Sequence, residues 1–281
     1  MNTAQTQINL DLDYSSNIEI ADGVYWVGFE EAKSRLHCNS YLIVDEDEAV
    51  LIDGGSRNDF STVMLKIMRT GINPGNIIRL LYHHYDPDLC GNLPHMEALI
   101  DNEKLKILSH FENNIFLDCY STRTEKQCIE EQGYHFEFSS GRRLEFIHTP
   151  YAHSLGSFVT YDTKTKVLFS SDLFGSYDIN ETKWEMYTMI DEACADCEPE
   201  DVCPATGAVC QVFGILDYHK RVMTSTNALR YALEEISKLD ISLVAPQHGS
   251  LLHTPESREV VLERLRTLSG IGIDSYVGGA G

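Results

Sequence analysis

Three observations predict an α/β protein built as a four-layer αββα sandwich. Strand-like runs come in two blocks, and each block is followed by helical segments. No stretch rich in Pro, Gly or Ser divides the 281 residues, so one domain spanning 1–281 is expected. His and Asp residues recur where strand-like runs end, which places candidate chemistry along one edge of the expected sheets.

The first block reads NIEIA, GVYWVGF, SYLIVDE and EAVLIDGG, short runs parted by turn residues, and antiparallel hairpins are the natural pairing. From Ser61 to Arg69, Val63, Met64, Ile67 and Met68 fall at helical spacing. Gly71 and Pro74 stop that helix before the strand NIIRLLY. LPHMEALI reads as helix, LKILSH as strand, and the segment from Glu112 to Glu130 as mixed helix and loop. The second block is YHFEF, LEFIHTP, SFVTYDT and KVLFSSD. A long helix is expected from Leu216 to Leu239, with Val222, Leu229, Ala232, Leu233 and Ile236 on one stripe. The strand LVAP and a helix from Pro255 to Leu268 follow, and the Gly-rich tail GIGIDSYVGGAG is expected to be loosely held.

Hydrophobic residues make up 43% of the chain, enough for a packed core. The net charge of -21, from 43 acidic and 22 basic residues, argues against nucleic acid and anionic membrane as partners, because phosphate binding needs a basic footprint. It suits a solvated surface, or docking of a basic redox partner. No run approaches the ~18 apolar residues of a membrane span, and the N-terminus shows no signal pattern. A cytoplasmic location with reduced thiols is therefore expected.

The stretch HHYDPDLCGN holds His84, Asp86 and Asp88 in alternation, and an extended chain would put all three on one side. Pro87 favours extended backbone at Asp86. His153 in TPYAHSLGS, Asp172 in LFSSDLFG and His248 in APQHGS each follow a strand-like run. Three imidazoles and three carboxylates are too many for one ion with an open position and suit two, with iron, manganese or zinc preferred over thiolate-seeking metals. Asp172 is the candidate bridge. His83, Tyr85 and Cys90 flank the ligands and are candidates to donate hydrogen bonds to a bound ligand or to replace one.

LIDGG, H-x-D-x-D, TPxxH, SSD and PQHG, in this order, resemble the metallo-β-lactamase fold from about residue 15 to 268. The hydrolases of that superfamily carry H-x-H-x-D-H, whereas here Asp86 replaces the second His and Leu89 the last. An acidic residue at the second position resembles the flavodiiron proteins, which reduce oxygen or nitric oxide. The resemblance implies that His84, Asp86 and His153 hold one iron, that Asp88 and His248 hold the other, and that Asp172 bridges them. It implies that Leu89 leaves the second iron short of a ligand and more open. With no flavodoxin domain and its FMN expected beyond Gly281, the chain resembles the shorter oxygen-binding diiron proteins, and sensing of O2 or NO is expected to compete with turnover. A signalling protein or redox donor would then be the partner, and a homodimer is expected from the resemblance alone. The alternative is a binuclear zinc hydrolase of a thioester, lactone or phosphoester, against which stands the missing His at position 89.

Cys194, Cys197, Cys203 and Cys210 form a C-x2-C-x5-C-x6-C pattern within a Cys-rich segment at about 190–212. Four thiolates so spaced can close on an iron–sulfur cluster or a zinc ion. A 4Fe-4S cluster is the favoured reading, because electrons are what the neighbouring site would need. Cys38, Cys119 and Cys128 read as core residues and carry no functional weight.

Overall fold

The structure, a computed structural model, describes residues 12–29, 37–120, 123–177, 184–199, 201–203 and 207–277. The last four residues of the Gly-rich tail and parts of the Cys-rich segment lie outside the described residues.

The first sheet holds β1 (Ile18–Ala21), β2 (Val24–Trp26), β3 (Tyr41–Asp45), β4 (Glu48–Ile52), β5 (Ile77–Leu81), β6 (Lys106–Ser109) and β7 (Lys126–Cys128) in sequence order. Its first four strands pair as antiparallel hairpins, and β4 to β7 run parallel. The second sheet, in the order β12-β11-β10-β9-β8, holds β8 (His135–Glu137), β9 (Arg143–His148), β10 (Phe158–Asp162), β11 (Val167–Ser171) and β12 (Leu243–Pro246). The helices are α1 (Phe60–Arg69), α2 (Pro87–Cys90), α3 (Leu93–Ile100), α4 (Phe111–Leu117), α5 (Gln211–Val222), α6 (Thr226–Ile236), α7 (Pro255–Arg266) and α8 (Asp274–Val277).

Strand alternation sorts the apolar residues into layers. Ile43, Val50 and Ile52 of the first sheet meet Phe146, Phe158 and Phe169 of the second in the central core. On the far face of the first sheet, Leu42, Leu51 and Leu80 pack on α1 and α3. On the far face of the second, Val159, Tyr161 and Leu168 pack on α5, α6 and α7. The four layers expected from the sequence are therefore present.

Two expectations are corrected. The long helix from Leu216 to Leu239 is broken into α5 and α6, because Met223 turns extended and the Ser225 hydroxyl caps α6 by accepting from the Ala228 N–H at 3.2 Å. In α1, Met68 faces solvent at 50% exposure and Lys66 takes the buried face. Its ammonium donates to the Tyr14 and Gly28 carbonyls and lies 3.7 Å from the centroid of the Trp26 ring. A cation on that face is held by polar atoms and an aromatic surface that helical spacing cannot reveal.

At the end of the sandwich formed by the β3–β4 hairpin, Arg142 joins the two sheets. Its guanidinium donates twice to the fully buried Asp162 carboxylate, reaches the Val44 carbonyl at 3.4 Å, and lies 3.7 Å from Asp45. Removing one member of a buried pair leaves the other charge unpaired. Arg142→Ala should therefore lower stability by about 3–5 kcal/mol, read as a shift of the urea midpoint at constant slope. An unchanged midpoint would contradict the account.

Candidate metal centre

Four strand ends deliver the candidate ligands. β5 runs into His84, β9 leads to His153, β11 ends beside Asp172, and β12 is followed by Gln247 and His248. One strand belongs to the first sheet and three to the second, so the site depends on how the sheets face each other. Asn39 holds that relation at this end. Its amide accepts from the Trp26 indole at 2.8 Å and donates to the carbonyls of Pro246 and Gly249, while the Tyr41 hydroxyl donates to Pro246 at 2.7 Å.

The period of two places only part of HHYDPDLCGN. Asp86 is extended as Pro87 requires, with φ −69° and ψ 152°. Pro87 then starts α2, and Asp88 reaches the site from the first turn of that helix rather than from an extended chain. His83 is corrected as a donor to the site. Its Nδ1 pairs with Asp53 at 2.6 Å and its Nε2 with the Thr160 hydroxyl at 2.9 Å, so both ring nitrogens are spent between the sheets. Tyr85 stacks on Phe116 with ring centroids 4.2 Å apart, and the Cys90 thiol donates to the carbonyls of Tyr85 and Asp86. Leu89 is buried among the apolar residues that pack with α1 and α3.

Asp172 is the hub. Its Oδ1 lies 3.4 Å from His84 Nε2 and 3.5 Å from His248 Nε2, and its Oδ2 lies 2.7 Å from His153 Nε2. On one side, one ligand atom each of His84, Asp86 and His153 approach one another within 4.8 Å. On the other side Asp88, His248 and Cys38 do the same, with His248 Nε2 3.1 Å from Asp88. Two ligand groups flank one carboxylate. The sequence reading missed Cys38, which it placed in the core; no local pattern marks it, because it reaches the site from the loop before β3.

Burial alone would raise the Asp172 carboxyl, but His84 and His153 outweigh it and hold it well below the usual carboxylate range. Burial opposes a charged His84, yet Asp172, Asp88 and Asp86 push it up to about 9. His248 is likewise raised against its burial, by Asp88 and Cys38. The pocket thus attracts positive charge. Asp172 Oδ1 and His84 Nε2 are buried with no hydrogen-bond partner among the described residues, as expected of atoms that face a cation. The donor set fits two divalent ions of the imidazole- and carboxylate-binding kind.

α5 supplies two further residues that its apolar stripe concealed. Tyr218 is buried against Asp172, and burial followed by the charges of Asp172 and Asp88 keeps its phenol protonated, well above the usual range. His219 donates from Nδ1 to the Ile215 carbonyl at 2.7 Å and accepts the Phe174 N–H on Nε2 at 3.0 Å. It thereby braces the turn after Asp172. Asp53, Ser171 and Phe174 all hold positive φ, 50°, 53° and 64°, so backbone strain gathers around the site.

The four cysteines of the spaced motif divide. The sulfurs of Cys194, Cys197 and Cys210 lie within 4.8 Å of one another, and Cys203 stands outside that group although it is buried in the same apolar cluster.

A family model described as ODP family beta lactamase matches residues 36–249. The putative diflavin flavoprotein A 2 of Synechocystis sp. is 27% identical over 216 residues, 76% of this chain and 33% of that protein. The chain spans from a third to about half of the length of the curated relatives it matches first. A structure of the peroxy diiron species of chemotaxis sensor ODP superposes with a TM-score of 0.71 at 21% identity, covering 95% of this chain and 100% of that one. The flavodiiron protein from Giardia intestinalis superposes with a TM-score of 0.72 at 20% identity, covering 91% and 60%. These likenesses establish the metallo-β-lactamase-like fold.

Burial pushes the His219 imidazole down to about 4, against the opposing pull of the Ile215 carbonyl and Asp172. The unfolded chain takes up this proton near 6.5, so the stability from a neutral His219 is present above that pH and is lost as pH falls toward 4. The stability difference between wild type and His219→Gln should narrow by up to about 3 kcal/mol across that window. Urea titrations at several pH values measure it, and a constant difference would refute the assignment.

Proposed function

Because the chain belongs to the ODP family of beta-lactamase-fold proteins, we propose that it holds two iron ions and binds dioxygen or nitric oxide between them. His84, Asp86 and His153 would hold the first iron, Asp88 and His248 the second, and Asp172 would bridge. The observation that carries this reading is Asp172, whose two oxygens face three imidazoles from three different segments. A ferrous pair supplies the electrons that bind such a gas.

The protein's own groups define the rest of the chemistry. Asp86 places a hard oxygen donor beside two imidazoles, a mixture that suits iron. Cys38 lies within reach of Asp88 and His248, so it would offer the second ion a sulfur donor from the loop before β3. His248 is oriented from behind, because its Nδ1 donates to the His37 carbonyl at 2.7 Å and leaves Nε2 for the ion. Tyr218 holds a proton on its phenol oxygen, next to the bridging carboxylate. A sensor role follows the likeness to a chemotaxis sensor, with a signalling protein as partner.

Two tests bear on the reading. Anaerobically loaded protein should carry two irons per chain and change its Mössbauer spectrum on exposure to oxygen or nitric oxide. His84→Ala should bring iron well below two. Uptake of zinc alone, with no response to either gas, would overturn the proposal in favour of a hydrolase. Cys38→Ser should keep its iron and lose any sulfur-to-iron absorption of the oxidised protein; persistence of that absorption would exclude Cys38 as a ligand.

A further inference from the structure

The geometry points to a second metal site, in which Cys194, Cys197 and Cys210 bind one zinc ion apart from the His and Asp centre. Cys194 lies in the 3-10 turn Glu192–Asp196, Cys197 ends that turn, and Cys210 stands at the start of α5. Their sulfurs all approach within 4.8 Å. A tetrahedral zinc with ~2.3 Å bonds sets its thiolates ~3.8 Å apart, so small side-chain movements close the group on one ion. A 4Fe-4S cluster places its thiolates on separate irons and spreads them wider than these three. The span therefore favours a single ion over the cluster expected from the spacing.

The surroundings agree. Arg264 of α7 donates to the carbonyls of Cys194, Ala195 and Cys197 at 3.5, 2.7 and 3.0 Å, which fixes the turn that presents two of the sulfurs. Cys194 and Cys210 are 4% and 2% exposed. Acidic residues Asp191, Glu192, Asp196 and Glu198 flank the turn, so thiolates there need a compensating cation. On binding, three S–H bonds break, three protons pass to water and three Zn–S bonds form. Soft thiolates select zinc, while imidazole and carboxylate select the ions of the other centre. The consequence reaches that centre, because Cys210 begins the helix that carries Tyr218 and His219 to Asp172.

Metal analysis of the full chain, loaded with both metals, should find one zinc per chain in addition to the iron. Cys197→Ser, which alters the half-buried member, should lose that zinc and retain the iron. Cys203→Ser should retain both. If Cys203→Ser loses zinc as fully as Cys197→Ser, the three-thiolate assignment is overturned. Should Cys197→Ser fail to fold, cobalt substitution answers in its place. In a Cys38→Ser background, where the other centre has no thiolate, one cobalt per chain should still give the near-ultraviolet sulfur-to-cobalt band, and the band's absence would overturn the site. The band should survive His84→Ala, so failure of the iron reading and failure of the zinc site are read separately.

Discussion

A carboxylate that is 2% exposed and faces three imidazoles is the constraint on which the rest of this structure depends. Asp172 could not keep its charge so deep in the protein without positive partners, and its partners come from β5, β9 and β12. The two sheets must therefore meet in one register at this end. Any slip would part the carboxylate from at least one imidazole.

The protein secures that register with polar bonds rather than with packing alone. Asn39 and Tyr41 tie the first sheet to the carbonyls around Pro246, and His83 spans from Asp53 to Thr160. At the β3–β4 end Arg142 does the same between Asp162 and the hairpin. Apolar contacts tolerate sliding, whereas buried hydrogen bonds between fixed atoms do not. The positive φ values of Asp53, Ser171 and Phe174 belong to the same device, since rigid neighbours hold each of them in a conformation that side chains disfavour.

α5 couples this centre to the cysteine cluster. It follows directly on Cys210, buries Val212 and Ile215 against the second sheet, and delivers Tyr218 and His219 to the turn after β11. One helix thus leads from the cysteine cluster, just before its first residue, to the candidate metal centre two turns later. The break after it, at Met223, ends α5 before the Ser225 hydroxyl caps α6.

What the sequence determined by itself were the local features. Alternation and turn residues marked the strands, Pro87 placed Asp86 in an extended conformation, and strand ends carrying His84, His153, Asp172 and His248 announced a shared edge. Those signals lie within a few residues of what they describe. Only the tertiary structure decided that Asp88 arrives on a helix, that His83 turns between the sheets, and that Leu89 packs in the core. It alone brought Cys38 beside Asp88 and His248, set Tyr218 against Asp172, and gathered Cys194, Cys197 and Cys210 into one close group. The reason is physical: local periodicity sets which way a side chain points, but which distant side chain it meets depends on sheet pairing and inter-sheet register.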